Sequence, residues 1–118
     1  YNANPFSLQA AIASLSAFKG KRIFVLGDMK ELGKDETALH KAAGEDIRAA
    51  GIDQLFTFGK LTTATANAFG DDAHHYTDQA ALLTDLMPLM QPQTTIVVKG
   101  SRSMHMEIIV KGLIAATQ

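Results

Sequence analysis

The chain has 118 residues, no cysteine and a formal charge of -1 at neutral pH. That length fits one domain, residues 1–118, with a core of its own; the missing thiols exclude disulfides and thiolate metal sites, and the balanced charge leaves no electrostatic footprint for nucleic acid or an anionic membrane. With 47% hydrophobic and 19% charged residues the composition is that of a globular protein, and neither a membrane-spanning run nor a signal-peptide pattern is visible.

Tyr1 is not an initiator Met and stands just before a helix start, which predicts a fragment cut from a longer protein, with Tyr1 to Ala3 ending an earlier element. Asn4-Pro5 is that start, because Asn caps exposed N–H groups and Pro is favoured at the first helical position. The helix is predicted to run to about Phe18, buried through Leu8, Ile12 and Leu15, and to end before Gly20. Ile23 to Leu26 show no polar alternation, which predicts a parallel strand covered on both faces. Gly27 follows as a residue able to take a tight turn or positive φ, and opens a loop reaching Gly33. Asp35 or Lys34 then opens a helix with the stripe Leu39, Ala43, Ile47 and Ala50, stopped at Gly51.

Asp53 to Phe58 is predicted as a second strand, ending at Gly59. Thr62 to Phe69 is a weaker helix, since three threonines and Asn67 lower its propensity. A turn at 70–72 leads to a short outer strand, Ala73 to Tyr76, and Asp78 caps a helix carrying Ala81, Leu82, Asp85, Leu86 and Leu89. Thr94 to Val98 is the last strand; the final helix is expected to bury Met106, Ile109, Val110 and Leu113. A helix followed by four strand-helix units, joined by right-handed crossovers, implies an α/β fold: a Rossmann-like, doubly wound, mostly parallel sheet with helices on both faces.

In such sheets ligands bind outside the carboxyl ends of the strands, which makes Asp28 and Glu31 site residues by location. Lys99, Ser101 and Arg102 leave the last strand in the same way, and two cations beside Gly100 ahead of a helix N-terminus suit an anion. If the two loops adjoin, an acidic side and a basic side suit a zwitterion such as an amino acid or short peptide. Familiar motifs fail: Gly27 to Lys34 has the wrong spacing for a phosphate loop, and neither G-x-G-x-x-G nor G-x-S-x-G occurs. His74 and His75 are neighbours on a strand, point to opposite faces and cannot share a metal there. His40 and His105 read as lone helical histidines, structural or exposed rather than catalytic.

Three spaced segments carry a resemblance over almost the whole chain: Tyr1-Asn2-Ala3-Asn4-Pro5; Val25 to Gly33 followed by His40 and Gly44; and Val98 to Glu107. They resemble the C-terminal domain of the Mur ligases, and within that family the type that joins D-alanyl-D-alanine to UDP-N-acetylmuramoyl-tripeptide. The resemblance implies an ATP- and magnesium-dependent peptide ligase of cytoplasmic peptidoglycan assembly, acting in cell wall biogenesis, cell shape and cell division. It implies that ATP and magnesium are held mainly by a central ATPase domain of the same full-length chain. It also implies that Tyr1, Asn2 and Asn4 reach the nucleotide, and that Asp28, Glu31, Lys99, Ser101 and Arg102 form the incoming-substrate side. The family's acidic residues ahead of Tyr1, its phosphate loop and its UDP-sugar domain lie outside this sequence, so the chain by itself is expected to be inactive. The alternatives are a sister ligase adding a different amino acid and a non-catalytic doubly wound binding domain.

Overall fold

The computed structural model describes residues 3–117. Helix α1, Pro5–Ser16, starts in a capping box in which Asn4 Oδ1 accepts from the Ser7 N–H at 2.8 Å and Ser7 Oγ accepts from the Asn4 N–H at 3.1 Å. It stops two residues earlier than the sequence suggests. Phe18 lies beyond the Ala17 cap and is exposed, because the apolar stripe that holds the helix down ends at the fully buried Leu15. Strand β1, Lys21–Gly27, follows, then a loop, a short 3₁₀ turn and α2, Glu36–Ala49. Strand β2, Gln54–Phe58, and α3, Thr62–Phe69, lead to β3, Ala73–Tyr76. Helix α4, Gln79–Leu86, is capped by Asp78 and precedes β4, Thr94–Lys99, and α5, Glu107–Ala116.

The four strands are parallel in the order β3-β2-β1-β4. Helices α1, α2 and α3 cover one face, where Leu8, Leu15, Phe24, Leu26, Ile47 and Leu55 form one core. Helices α4 and α5 cover the other, around Ile23, Val25, Phe56, Leu82 and Ile109. Ile23 to Leu26 belong alternately to the two cores and are fully buried, as their unbroken apolar run predicts. Burying each such side chain contributes about 1.5–3 kcal/mol, which makes β1 the energetic centre of the sheet.

Strand β4 is apolar at its centre yet only half-buried along its length, because it forms an edge of the sheet. Val110 is accordingly more exposed than expected: α5 seats Met106, Ile109 and Leu113, and Val110 turns to the open groove beside Ile96 and Val98. In α2 the stripe is shifted by one residue, with His40 fully buried and Leu39 only partly so.

From β1 the chain moves over one face to β2 and β3, then returns over the other face to β4 on the far side of β1. The direction of winding therefore reverses between β1 and β4. A crevice opens at the carboxyl ends of two strands where the order reverses, and that is where open α/β sheets place ligands.

Candidate functional site

Gly27 and Gly100 end β1 and β4 side by side. Neither needs its freedom of φ; Gly27, contrary to the sequence expectation, has no positive φ. What requires glycine is space: a Cβ on Gly27 would come within 2.8 Å of Met106 Sδ, and one on Gly100 would lie 3.3 Å from Gly27 Cα. The two strand ends thus close tightly over Met106 from α5, and the loops that follow them are forced together.

In the loop after β1, three consecutive residues are each tied to a different element. The Asp28 carboxylate, 1% exposed, accepts from the N–H groups of Leu61 and Thr62 at 3.1 and 3.0 Å and so caps α3 from outside that helix. It fits only because Gly59, at φ +117, carries no Cβ that would meet it. The Met29 N–H donates to His40 Nε2 at 2.9 Å, with the Met29 side chain fully buried. The Lys30 N–H donates to Ser101 Oγ at 2.6 Å, and the Ser101 N–H donates to the Asp28 carbonyl at 3.0 Å, which joins the loop to the one after β4. Glu31 comes next, at φ +63.

The second loop continues from Ser101 into a short 3₁₀ turn, Arg102–Met104, closed by His105 in a left-handed conformation at φ +52. His105 is thus not helical, as the sequence suggested, but ends that turn, exposed, with Nδ1 3.5 Å from the Glu107 carboxylate. Gln79 of α4 pins the turn from behind, its side-chain amide donating to the Met104 carbonyl at 2.7 Å.

Between the loops lies a cleft of about 670 Å3 lined by Asn4, Lys30, Glu31, Ser101, Arg102 and His105, among others. Glu31 and His105, the two non-glycine residues with positive φ among those described, both line it. Backbone held in a sparsely populated region clusters at sites where the surrounding structure fixes a side chain for use. Charge is available there too: among the described residues neither the Glu31 carboxylate nor the Arg102 guanidinium has an ion pair or side-chain hydrogen bond. The N–H groups of Arg102 and Ser103, two residues that line the cleft, also lack a protein acceptor among the described residues. Lys30 adds a second cation, its Nζ 3.7 Å from Asp28 Oδ2.

The sequence-predicted residues therefore divide. Asn4, Glu31, Ser101 and Arg102 meet at the cleft. Asp28 stands behind it, its carboxylate committed to α3 and Lys30. Lys99 pairs in register with Leu26, shares that residue's face of the sheet, and is not among the residues that line the cleft. Tyr1 and Asn2 lie outside the described residues. Lys30 and His105 were missed as lining residues. The signal for Lys30 was its place in the loop itself; nothing in the sequence around His105 marks its left-handed backbone. His74 and His75 do diverge, His74 packing tilted against Phe56 with ring centroids 4.8 Å apart and His75 reaching Thr57 Oγ1 at 2.7 Å.

A family profile described as "Mur ligase, glutamate ligase domain" matches residues 1–102. The chain belongs to the Mur ligase family. It is 44% identical over 115 residues to UDP-N-acetylmuramoyl-tripeptide--D-alanyl-D-alanine ligase of Escherichia coli, covering 96% of this chain and 25% of that protein. To the Bacillus subtilis protein of the same description it is 40% identical, covering 97% and 26%. This Mur ligase chain thus spans about a quarter of the length of the curated relatives it matches. The solved structure of MurF from Acinetobacter baumannii superposes with a TM-score of 0.88 at 32% identity over 98% of this chain and 27% of that one. MurF from Thermotoga maritima, solved in complex with ADP, shares the fold with a TM-score of 0.87 at 24% identity.

Among the described residues no group of three or more acidic or histidine side chains could hold a metal ion. Of the segment expected to reach ATP only Asn4 is described, and its Oδ1 is committed to the α1 cap. No helix of the described residues is long and apolar enough to cross a membrane.

Proposed function

We propose that residues 1–118 form one domain, the C-terminal, substrate-binding and ATP-closing domain of a cytoplasmic ligase that joins D-alanyl-D-alanine to UDP-N-acetylmuramoyl-tripeptide. The observation that carries this reading is the cleft in which Glu31, on left-handed backbone, and Arg102, opposite in charge and each without an ion pair among the described residues, face one space. A dipeptide brings an ammonium and a carboxylate. Arg102 is the group for the carboxylate, because its planar guanidinium donates two parallel hydrogen bonds, with the Arg102 and Ser103 N–H groups beside it. Glu31 is the group for the ammonium end. The Ser101 hydroxyl, having accepted the Lys30 N–H, keeps its own proton for a further acceptor. Asp28 and Lys99 contribute by charge and by shaping the loops.

ATP, held mainly by a central domain of the full-length ligase together with magnesium and reached from here by Tyr1, Asn2 and Asn4, supplies the phosphoryl group that activates the tripeptide carboxylate. What this chain contributes is orientation: a dipeptide anchored at its carboxylate has its amine presented toward the activated carbonyl. Holding both reactants in place removes much of the entropic barrier to a bimolecular attack.

In the full-length ligase, Arg102→Ala is expected to lower kcat/KM for D-alanyl-D-alanine by roughly one to two orders of magnitude, the loss for a charge-assisted contact of about 1.5–3 kcal/mol. Arg102→Lys should recover only part of it. The melting temperature should hardly move, since Arg102 is exposed and makes no ion pair among the described residues. Unchanged dipeptide kinetics would remove Arg102 from the site.

A further inference from the structure

His40 is fully buried in α2 and does not line the cleft, and the reading above gives it no task. Its two ring nitrogens have different partners. Nδ1 lies 2.7 Å from the Glu36 carbonyl in its own helix, and Nε2 lies 2.9 Å from the Met29 N–H. A carbonyl can only accept and an N–H can only donate, so the arrangement is satisfied by one form alone: a neutral ring with its proton on Nδ1 and a lone pair on Nε2. The buried Met29 N–H then has its acceptor. Met29 itself is anchored in the core, and its neighbours Asp28 and Lys30 are tied to α3 and to Ser101. The next residue is Glu31, in a left-handed conformation that an L-residue resists and that persists only where the surroundings impose it.

We propose that His40 is a positioning residue: by accepting the Met29 N–H at Nε2 it fixes the 28–32 loop and so holds Glu31 in the left-handed backbone that presents its carboxylate to the cleft. The step rests on the substrate reading only for what Glu31 then binds. Were His40 mere filling of the core, its volume would matter and its lone pair would not.

Two variants separate these cases. His40→Leu keeps bulk but has no acceptor; His40→Gln restores an acceptor oxygen. In the 118-residue chain, His40→Leu should speed hydrogen exchange at the Met29 amide at least tenfold and abolish the left-handed backbone shifts of Glu31, while Val25 and Leu26 stay protected. His40→Gln should restore most of both. In the unaltered chain, imidazole nitrogen NMR should show the proton on Nδ1, a readout that survives if His40→Leu fails to fold. A proton on Nε2, or His40→Leu leaving Met29 and Glu31 unchanged, or His40→Gln behaving like His40→Leu, would each overturn the proposal. D-alanyl-D-alanine binding, followed by calorimetry on the full-length ligase and its His40→Gln and His40→Leu forms, should weaken in His40→Leu and recover in His40→Gln. Unaltered ligase that fails to bind the dipeptide counts against the substrate reading alone, since exchange and tautomer are measured without it.

Discussion

A glutamate held at φ +63 gives up about 1–2 kcal/mol relative to a residue without Cβ, and at Glu31 nothing in the core is gained in exchange, since its side chain is exposed. Glu31→Gly is therefore expected to raise stability by up to about 1 kcal/mol, the strain relief being offset in part by the greater freedom of glycine in the unfolded chain. In the full-length ligase the same change should raise KM for the dipeptide. Stability and function moving in opposite directions is the signature of strain retained for a site; a Glu31→Gly protein that is clearly less stable in urea would mean that the carboxylate holds the fold. His75 allows a test of sign. Burial pushes its imidazole below the ordinary value of 6.5, against the raising effects of the Asp28 charge and a backbone bond at Gly59. A lowered pKa in the folded state means that the folded chain prefers the neutral ring. Its contribution is complete above the unfolded value and is lost as pH falls from about 6.5 through the lowered folded value. Urea midpoints should thus decline between about pH 7 and pH 5, and His75→Gln should flatten that decline.

Helix α3 shows how an element with poor propensity is kept. Its eight residues, TTATANAF, include three threonines and an asparagine, and no side chain of its own caps its N-terminus. The cap arrives from β1, as the Asp28 carboxylate, over a glycine at position 59. Thr62 and Thr65 are fully buried, and the Thr65 hydroxyl donates to the His40 carbonyl at 2.8 Å, so the threonines that weaken the helix in isolation bind it to α2. Asp28→Asn removes the charge at the positive end of the helix and one of the two acceptors. It is expected to cost about 1–2 kcal/mol in urea unfolding, with α3 amides losing protection first. Loss of less than a few tenths of a kcal/mol would show that packing on α2 suffices.

For the whole molecule, one sheet shared by two cores with β1 common to both predicts a single cooperative melting transition for the 118-residue chain. Catalysis is expected to be absent. The chain spans about a quarter of the length of its relatives and, among the described residues, no group of three acidic or histidine side chains could hold a metal ion, so the chain with ATP should release no phosphate above background. Its affinity for ATP should be far weaker than micromolar; calorimetry giving a micromolar Kd, about -8 kcal/mol, would overturn this division of labour. Robust ATPase activity would do the same.

The sequence alone determined the winding of this chain. Strand segments at 23–26, 53–58 and 94–98, apolar at their centres, alternate with helical stripes, several of the helices bear a stop or cap residue, and right-handed crossovers leave few ways to join them. It also marked both loops of the cleft, because a glycine at the end of a buried strand followed by charge is a local signal, and the spaced segments from Tyr1 to Glu107 carried the family. What it did not show is which charge is free. Asp28 and Glu31 are three residues apart in one loop and equally acidic on paper, yet one carboxylate is spent on α3, whose N-terminus lies thirty-odd positions away in sequence, and the other, on a backbone turned to φ +63, has no ion pair among the described residues. Lys99 and Arg102 divide likewise, one taking the register of Leu26 in the sheet and the other escaping into the turn beyond it. His40 takes its role from an N–H donated by a different element. Propensity and periodicity are properties of neighbours along the chain, whereas the partner of a buried charge or lone pair is chosen by which elements the tertiary fold brings within 3 Å of it.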